Sequence, residues 1–455
     1  MINKEYKNHC RSIIKLGLPI MGGQIGVIIV GFVDTIMVGR YSTDSLAAAA
    51  FVNTIFSLVI MVSLGFTFGL TPIIASKNAR HEFSEAGEVV KNALVLNILF
   101  SIFLSALLVL VYFNLGNFGQ PKELMPLIKP YFLTMMVSII FVSIFNVFRQ
   151  FSDGISHPMM SMYILLLGNL INIIFNYFLI FGTFGFPELG LLGAGISTLG
   201  SRILMATFFF MAFRYANRYK YYREGYKSGT IQKEVLKEIY HISWPVSVQS
   251  GLETGYFTIC GIMMGWLGAI ALASYQIMIT IGMLGFVIYS SFASSMSIRI
   301  SHEVGMKNWS AVKKVSQSAL GLILLQALCA SILFYVLGRE IIGIFTEDEN
   351  VKSASIVLII PMILYQFSDA VQICFSGALR GVAHMKPMMK IALIAYMGVG
   401  VGAAYIFGFV FNWGAEGVYY SFSVSLFIAA YLYWKYFYKK VMKENTAQKL
   451  EVVSD

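Results

Sequence analysis

The sequence predicts an all-α integral membrane protein with twelve transmembrane helices arranged as two pseudo-symmetric lobes of six. Its composition is the first observation: the 455 residues are 57% hydrophobic and only 12% charged, whereas soluble domains carry about 25% charged residues. The second is that apolar runs of about 20 residues, the length of a membrane-crossing helix, recur along the whole chain. The third is that the two halves of the chain resemble each other in the same order.

The apolar runs predict the spans in chain order. They lie at about residues 13–38, 46–70, 90–113, 127–149, 159–181, 191–214, 240–266, 270–297, 314–338, 351–379, 387–411 and 415–438. The first run follows a basic start but has no small-residue cleavage site, so we expect a first span and not a signal peptide.

The basic residues predict the orientation. The formal net charge is +10, and Lys and Arg concentrate at alternate ends of the spans, most densely at 214–237. The opposite loops hold only Arg40, Lys122, Lys129, Arg339 and Lys352. By the positive-inside rule both termini are expected in the cytoplasm, which suits the inner membrane of a bacterium. Because the charge is dispersed among loops, it does not indicate a nucleic-acid partner.

An internal repeat divides the chain. Over about 75 residues, matches recur without a gap at a shift of 226 positions, as in Pro19 with Pro245 and Met37 with Met263. The polar segment 215–239 separates the predicted lobes 1–214 and 240–438, and 439–455 is expected to be a cytoplasmic tail. Six spans are an even number, so both halves cross the membrane in the same sense. This predicts parallel repeats around a central cleft that rock for alternating access.

Three acids interrupt apolar runs: Asp34, Glu253 and Asp369. Each costs about 2.5–3.5 kcal/mol at the centre of a bilayer, so we expect them to face a cavity and to bind a cation. The repeat does not carry them, because Asp34 aligns with Cys260 and Glu253 with Val27. Because each acid occurs in only one half of the repeat, the pattern favours specialised binding sites over a purely architectural role.

The second lobe offers a candidate site for a coupling ion. Tyr365 and Asp369 are four residues apart on one predicted helix, as are Gln249 and Glu253 on another. If spans 7 and 10 face each other, Glu253, Asp369 and the Tyr365 hydroxyl supply hard oxygen ligands for Na⁺. Alternatively, the two acids share a proton. In a third interpretation Lys or Arg neutralises them, although none lies deep in spans 7 or 10.

The first lobe offers a second polar group, formed by Asp34, Asn172, Asn176 and Thr198. It could bind a cation or a substrate, or the amides and the hydroxyl could serve interhelical hydrogen bonding. Arg202, roughly in the middle of span 6, could pair with Asp34 and make that acid structural. Aromatic residues could also line a drug cleft, although most are expected to be packing residues: Phe32, Phe257, Tyr275, Tyr289 and Phe367.

Three segments resemble the multidrug and toxic compound extrusion (MATE) family, in its NorM-like branch. They are GLPIMGGQIGVIIVGFVDTIMVGRYSTDSLAA, ASSMSIRISHEVG and QFSDAVQICFSGALRG. The resemblance implies a V-shaped, twelve-helix antiporter that exports organic cations in exchange for Na⁺ or H⁺. It implies that Tyr365 helps to hold the coupling ion, that Gln276 lines the substrate cleft, and that Asp34, Asn172, Asn176 and Thr198 match the first-lobe group. Archaeal-type members carry an aspartate where Asn176 stands.

Other classes fit the sequence less well. A flippase for lipid-linked saccharides would also have paired lobes, but an anionic headgroup calls for deep cations, and the deep charges here are mainly acids. An intramembrane aspartyl protease could use Glu253 and Asp369, yet no GxGD-like, HExxH or Ser/His pattern occurs. A channel is a further alternative, but a repeat of two lobes suits a transporter with alternating access better than it suits a channel. We therefore expect a non-enzymatic monomer with no cofactor besides the coupling ion, with drugs and the lipid bilayer as its partners.

Overall fold

The computed structural model describes residues 4–119 and 121–443, and this part of the chain is helical without a β-strand. The helices in order are α1 Lys4–Tyr41, α2 Thr43–Phe68, α3 Leu70–Ala79, α4 Phe83–Phe113, α5 Met125–Gly154, α6 Pro158–Phe181, α7 Leu191–Tyr215, α8 Lys220–Ser228, α9 Lys233–Trp266, α10 Ala269–Gly305, α11 Trp309–Phe345, α12 Glu349–Val357, α13 Ile359–Gly381, α14 Lys386–Ala392, α15 Val401–Tyr405 and α16 Gly414–Tyr436. Between α14 and α16 the chain also forms π-helical turns at Leu393–Gly400 and Ile406–Val410. The predicted all-α class is confirmed.

Ten helical segments of the described residues are long and apolar enough to cross a membrane. They coincide with ten of the twelve predicted spans. The other two predicted spans, 240–266 and 415–438, also form helices, α9 and α16, but these are less apolar. α9 carries Glu253 and several other polar residues, and α16 is rich in Ser, Gly and Tyr. A helix that lines a polar site is expected to have a lower hydropathy than a helix that faces only lipid.

The sequence repeat is also a repeat of backbone conformation. After α3, His81 adopts a φ of 60°, and after α10, 226 residues later, Lys307 adopts a φ of 56°. After α5 and α13, Ser156 and Ala383 do the same at 64° and 58°. These left-handed residues close helix ends, which glycine usually does because a Cβ disfavours the conformation. Matching turns without glycine at matching positions support a common ancestry of the two halves.

The backbone groups into two compact units. The first unit contains Gly22–Ser247, and the second unit joins the described residues 4–21 to residues 248–443. Both boundaries fall two residues after a proline that lies inside a long helix, Pro19 in α1 and Pro245 in α9. The units therefore differ from the predicted lobes 1–214 and 240–438, because the first turns of α1 and α9 each pack with the opposite half of the chain.

Side-chain contacts show how the start of α1 joins the second unit. The Ser295 hydroxyl of α10 donates to the Ile13 carbonyl at 2.7 Å. Lys314 of α11 forms an ion pair with Glu5 at 2.7 Å. The ring of Phe292 in α10 lies directly against Gly17, which has no side chain to keep the two helices apart.

The predicted linker 215–239 is a folded part of the first unit. Within it, α8 lies on α4, where Gly87 and Gly225 permit close contact between the two backbones. The following residues are held by α4 as well, since Lys91 donates to the Gly229 carbonyl at 2.7 Å and Asn92 to the Thr230 carbonyl at 3.1 Å. The segment is thus docked along its length on the first unit.

Candidate functional site

Asp369 lies on the face of α13 that packs against α10, and its side chain is buried. The hydroxyl group of Tyr289, on α10, donates a hydrogen bond to its carboxylate. Tyr365, one turn before Asp369, is also buried, but its hydroxyl lies against Gly282 of α10. The predicted pair Tyr365 and Asp369 therefore shares one helix face, while the direct hydroxyl partner of the acid comes from a different helix.

Glu253 lies on α9 in the same unit and is partly exposed. Gln249, one turn earlier, donates to it across 3.5 Å. Glu253 lies within electrostatic range of Asp369, and the Tyr396 hydroxyl is close enough to interact with it. Tyr396 is fully buried in the π-helical stretch Leu393–Gly400 and accepts a hydrogen bond of 2.8 Å from Gln372. The unit thus brings the two predicted acids together in a setting rich in hydroxyl and amide groups.

Arg380, at the end of α13, is a neighbour of this site that the sequence interpretation missed. It lies within electrostatic range of Glu253. The available signal was its spacing, because a residue eleven positions after Asp369 returns to the same helix face after about three turns. The second unit therefore contains a cation that can partly balance Glu253, and this cation lies just after predicted span 10 and not deep within it.

The first unit joins all four residues of the predicted polar group into one chain of hydrogen bonds. Asn176 donates to the Asp34 carboxylate at 2.5 Å and is 3.3 Å from the Asn172 carbonyl oxygen. Asn172 in turn donates to the Thr198 hydroxyl at 3.4 Å. Three helices, α1, α6 and α7, supply these groups, and both asparagines are buried. The arrangement presents one carboxylate surrounded by neutral polar groups.

Arg202 does not form a direct ion pair with Asp34 in the described part of the chain. Its guanidinium donates to the Ser138 hydroxyl of α5 at 2.5 Å, and it lies within electrostatic range of Asp34. Tyr131, which donates to Asn53 at 3.1 Å, is in range of both charges. Asp34 thus has an amide as its direct partner, and Arg202 balances its charge from a greater distance.

Gln276, the other residue predicted to line a substrate cleft, lies on α10 with an exposed side chain. It belongs to the second unit, whereas Asp34 belongs to the first, and their joint role stays a prediction. In the described part of the chain no three His, Cys, Asp or Glu side chains form a metal cluster. The first-unit site combines one carboxylate with neutral oxygen donors and the second-unit site combines two, sets that suit a monovalent cation or a proton.

The model of the MatE family matches residues 19–178 and 245–406, once in each half. The chain belongs to the MatE family. The two matches begin at Pro19 and Pro245, the prolines that mark the repeat. Among similar proteins are the "Probable multidrug resistance protein NorM" of Mannheimia succiniciproducens, 30% identical over 98% of this chain and 97% of its own length, and the "Multidrug resistance protein NorM" of Vibrio cholerae, 27% identical over 94% and 96%.

Solved structures support the fold of this MatE chain. The crystal structure of the eukaryotic MATE transporter AtDTX14 superimposes with a TM-score of 0.89 at 17% identity, covering 99% of this chain and 100% of its own. An outward-facing multidrug resistance MATE family transporter gives 0.85 at 19%, covering 96% and 97%. With its apolar helices, this member of the MatE family is a multi-pass membrane transporter and not an enzyme.

Proposed function

We propose that this MatE protein is a secondary active multidrug efflux antiporter, which exports organic cations and other amphipathic drugs in exchange for Na⁺ or H⁺. The observation that carries the proposal is the buried carboxylate of Asp369 beside Glu253 in a membrane-embedded unit. Relatives that align along nearly the whole chain are named as multidrug resistance proteins, and this supports drugs as the substrates.

The second unit supplies the chemistry for ion coupling. Two acids within electrostatic range of each other repel when both are ionised, so a cation that enters between them is attracted and relieves that repulsion. The Tyr289 hydroxyl and the amide groups add neutral donors that orient the carboxylates. Na⁺ suits this oxygen-rich set, and a proton on one acid is the alternative.

The first unit supplies a complementary site for the substrate. Asp34 is held by Asn176, and we assign it the attraction of the positive group of a drug. Transport then requires that the affinities for drug and ion differ between the inward-open and outward-open states, since a ligand that binds both states equally shifts nothing. We place the protein in a bacterial inner membrane, as a monomer with both termini in the cytoplasm.

The first experiment tests the acid. In proteoliposomes, Asp369→Asn is expected to abolish ethidium efflux driven by an imposed Na⁺ or H⁺ gradient, because the carboxylate that binds the ion is lost. Asp44→Asn, the same change at an exposed acid of α2, is the matched control and should transport normally. Both variants must elute from size exclusion like the unmodified protein. Normal ion-driven efflux by the Asp369 variant would exclude this acid as the coupling group.

The second experiment identifies the ion. Efflux is measured with an inward Na⁺ gradient while a protonophore collapses the proton gradient, and then with a proton gradient in Na⁺-free buffer. Efflux in the first condition alone assigns Na⁺, and efflux in the second alone assigns H⁺. Drug efflux that depends on neither gradient would contradict antiport.

A further inference from the structure

Three positions on one face of α10 meet three polar residues of α13. On α10, Gly282, Gly285 and Tyr289 are spaced by three and four residues and so lie in one row. The contacts along this row are Tyr365 against Gly282, Gln366 against Gly285 and Asp369 against Tyr289. The two glycines leave room that a side chain would fill, and polar atoms of α13 point into that room.

Gln366 is the unusual member of this row. Its side chain is fully buried, and within residues 4–119 and 121–443 neither its Nε2 nor its Oε1 has a hydrogen-bond partner. A buried polar group without a partner costs about 1–3 kcal/mol, and such groups are rare enough to require an explanation. Gln372, equally buried on the same helix, donates to Tyr396 at 2.8 Å. Gln366 therefore has the character of a ligand that is held ready for a bound species.

The position of Gln366 specifies that species. Gln366 and Asp369 are three residues apart, so their side chains lie on one helix face within reach of a shared ion. An amide oxygen, a carboxylate and a phenolic hydroxyl are hard, oxygen-based ligands that suit an alkali cation. A proton on the Asp369 carboxyl needs no further oxygen ligand, whereas an alkali cation is stabilised by each oxygen that it contacts.

We propose that the Gln366 side-chain oxygen, the Asp369 carboxylate and the Tyr289 hydroxyl together bind Na⁺ between α10 and α13, in the room left by Gly285. This inference rests on the proposed ion coupling and adds a neutral ligand that makes the site selective for Na⁺ over a proton. It also replaces Tyr365 with Tyr289 as the hydroxyl ligand, because Tyr289 is the residue that contacts Asp369.

The decisive variant is Gln366→Met, which retains the approximate size of the side chain and removes both polar atoms. Purified protein is followed by thermal unfolding at increasing NaCl, with choline chloride holding the ionic strength constant. The expected result has two parts. Without Na⁺ the variant is as stable as the unmodified protein or more stable, since no unpaired amide is buried. With Na⁺ its stabilisation requires on the order of tenfold more salt, which corresponds to the loss of one ligand worth about 1.4 kcal/mol.

The matched control is Gln326→Met on α11, where the side-chain oxygen is likewise buried without a partner among the described residues but no acid of the site is near in sequence. It should leave the Na⁺ response unchanged. Gln366→Leu serves as a second variant should the methionine protein fail to fold. A purely structural role of Gln366 predicts lower stability without Na⁺ and an unchanged salt response, and that result would overturn the inference.

The outcomes also separate this inference from the proposed function. If Gln366→Met responds to Na⁺ like the unmodified protein while Asp369→Asn loses ion-driven efflux, the antiport proposal stands and the Gln366 ligand is rejected. If the unmodified protein is stabilised equally by NaCl and choline chloride and transports only with a proton gradient, antiport again stands and the Na⁺ site is rejected. If no gradient drives efflux, the proposed function itself fails.

Discussion

Neutral donors hold two of the acids that interrupt the apolar spans of this protein. Tyr289 donates to Asp369, and Asn176 donates to Asp34. Hydrogen bonds to a charged group contribute more than those between neutral groups, about 1.5–3 kcal/mol each, but they do not cancel the charge. Each acid is therefore held in place without loss of its charge, and this suits the coupling and substrate roles that we propose for the two sites.

At this scale Tyr289→Phe is expected to lower the stability of the ion-free protein by about 2 kcal/mol, because the Asp369 carboxylate loses its donor. Thermal or denaturant unfolding in Na⁺-free buffer measures the change. Tyr419→Phe is the control, since the Tyr419 hydroxyl donates to the neutral carbonyl of Tyr275 at 3.3 Å. Loss of this neutral hydrogen bond should lower the stability by about 1 kcal/mol or less. Equal losses of stability in the two variants would show that the hydrogen bond from Tyr289 to Asp369 contributes no more than a bond between neutral groups.

Asp34→Asn tests the division of labour between the two units. Removal of this carboxylate is expected to raise the KM for tetraphenylphosphonium by about tenfold, because a charge attraction of the order of 1.4 kcal/mol is lost. The stabilisation by Na⁺ should persist, since we assign it to Asp369. Transport assays and thermal unfolding on the same preparations measure both quantities. Loss of the Na⁺ response in this variant would place the ion in the first unit instead.

Between elements, serine hydroxyl groups link three helices of the first unit. Ser63 of α2 and Ser101 of α4 both contact the hydroxyl of Ser143 on α5, at 2.9 and 2.6 Å. All three are buried. Because lipid-exposed helices gain little from apolar contact with each other, small residues and interhelical hydrogen bonds of this type contribute to their association.

Ser143→Ala is therefore expected to destabilise the protein by about 1 kcal/mol, since it removes two interhelical bonds worth about 0.6 kcal/mol each. Ser105→Ala on α4 is a matched control, because the Ser105 hydroxyl is buried without a partner in the described part of the chain. That variant should be neutral or slightly more stable. Thermal unfolding measures both variants. Equal changes in stability would contradict a stabilising role of the hydrogen bonds to Ser143.

At the scale of the whole molecule, the first turns of α1 and α9 belong to the units opposite in sequence, with the division just after Pro19 and Pro245. A proline inside a helix removes a backbone hydrogen bond and permits a bend. Each of these two helices is therefore shared by both units, and its proline lies next to the boundary. This placement suits a protein that we propose to operate by alternating access.

Gly17→Leu tests the contact of α1 with the second unit. The new side chain would overlap the ring of Phe292 on α10, and overpacking of this type costs about 1–3 kcal/mol. Hydrogen exchange should therefore increase in α10 and α11 but not in α4–α6. Gly31→Leu, on the same helix with no atom within 4 Å, should leave exchange in α10 unchanged. Increased exchange throughout the chain would instead indicate global unfolding.

Much of the architecture could be predicted from the sequence. Apolar runs report burial in lipid locally, so the helices follow the twelve predicted spans. The matching turns at His81 and Lys307 agree with the 226-residue shift seen in the sequence. The first-lobe group was also accessible, because Asn172 and Asn176 are one turn apart and the acid Asp34 stands out in its apolar run. The sequence alone therefore established a membrane protein with a duplicated fold and three acids that require a function.

The partners of those acids became visible only in three dimensions. Tyr289 and Asp369 are 80 residues apart, and which of the many tyrosines meets the acid depends on how α10 and α13 rotate and shift against each other. The same packing leaves Gln366, opposite Gly285, without a hydrogen-bond partner among the described residues, and it brings Arg380 into range of Glu253. Sequence periodicity specifies the face on which a residue lies, whereas the contact of one face with another is set by the packing of whole helices.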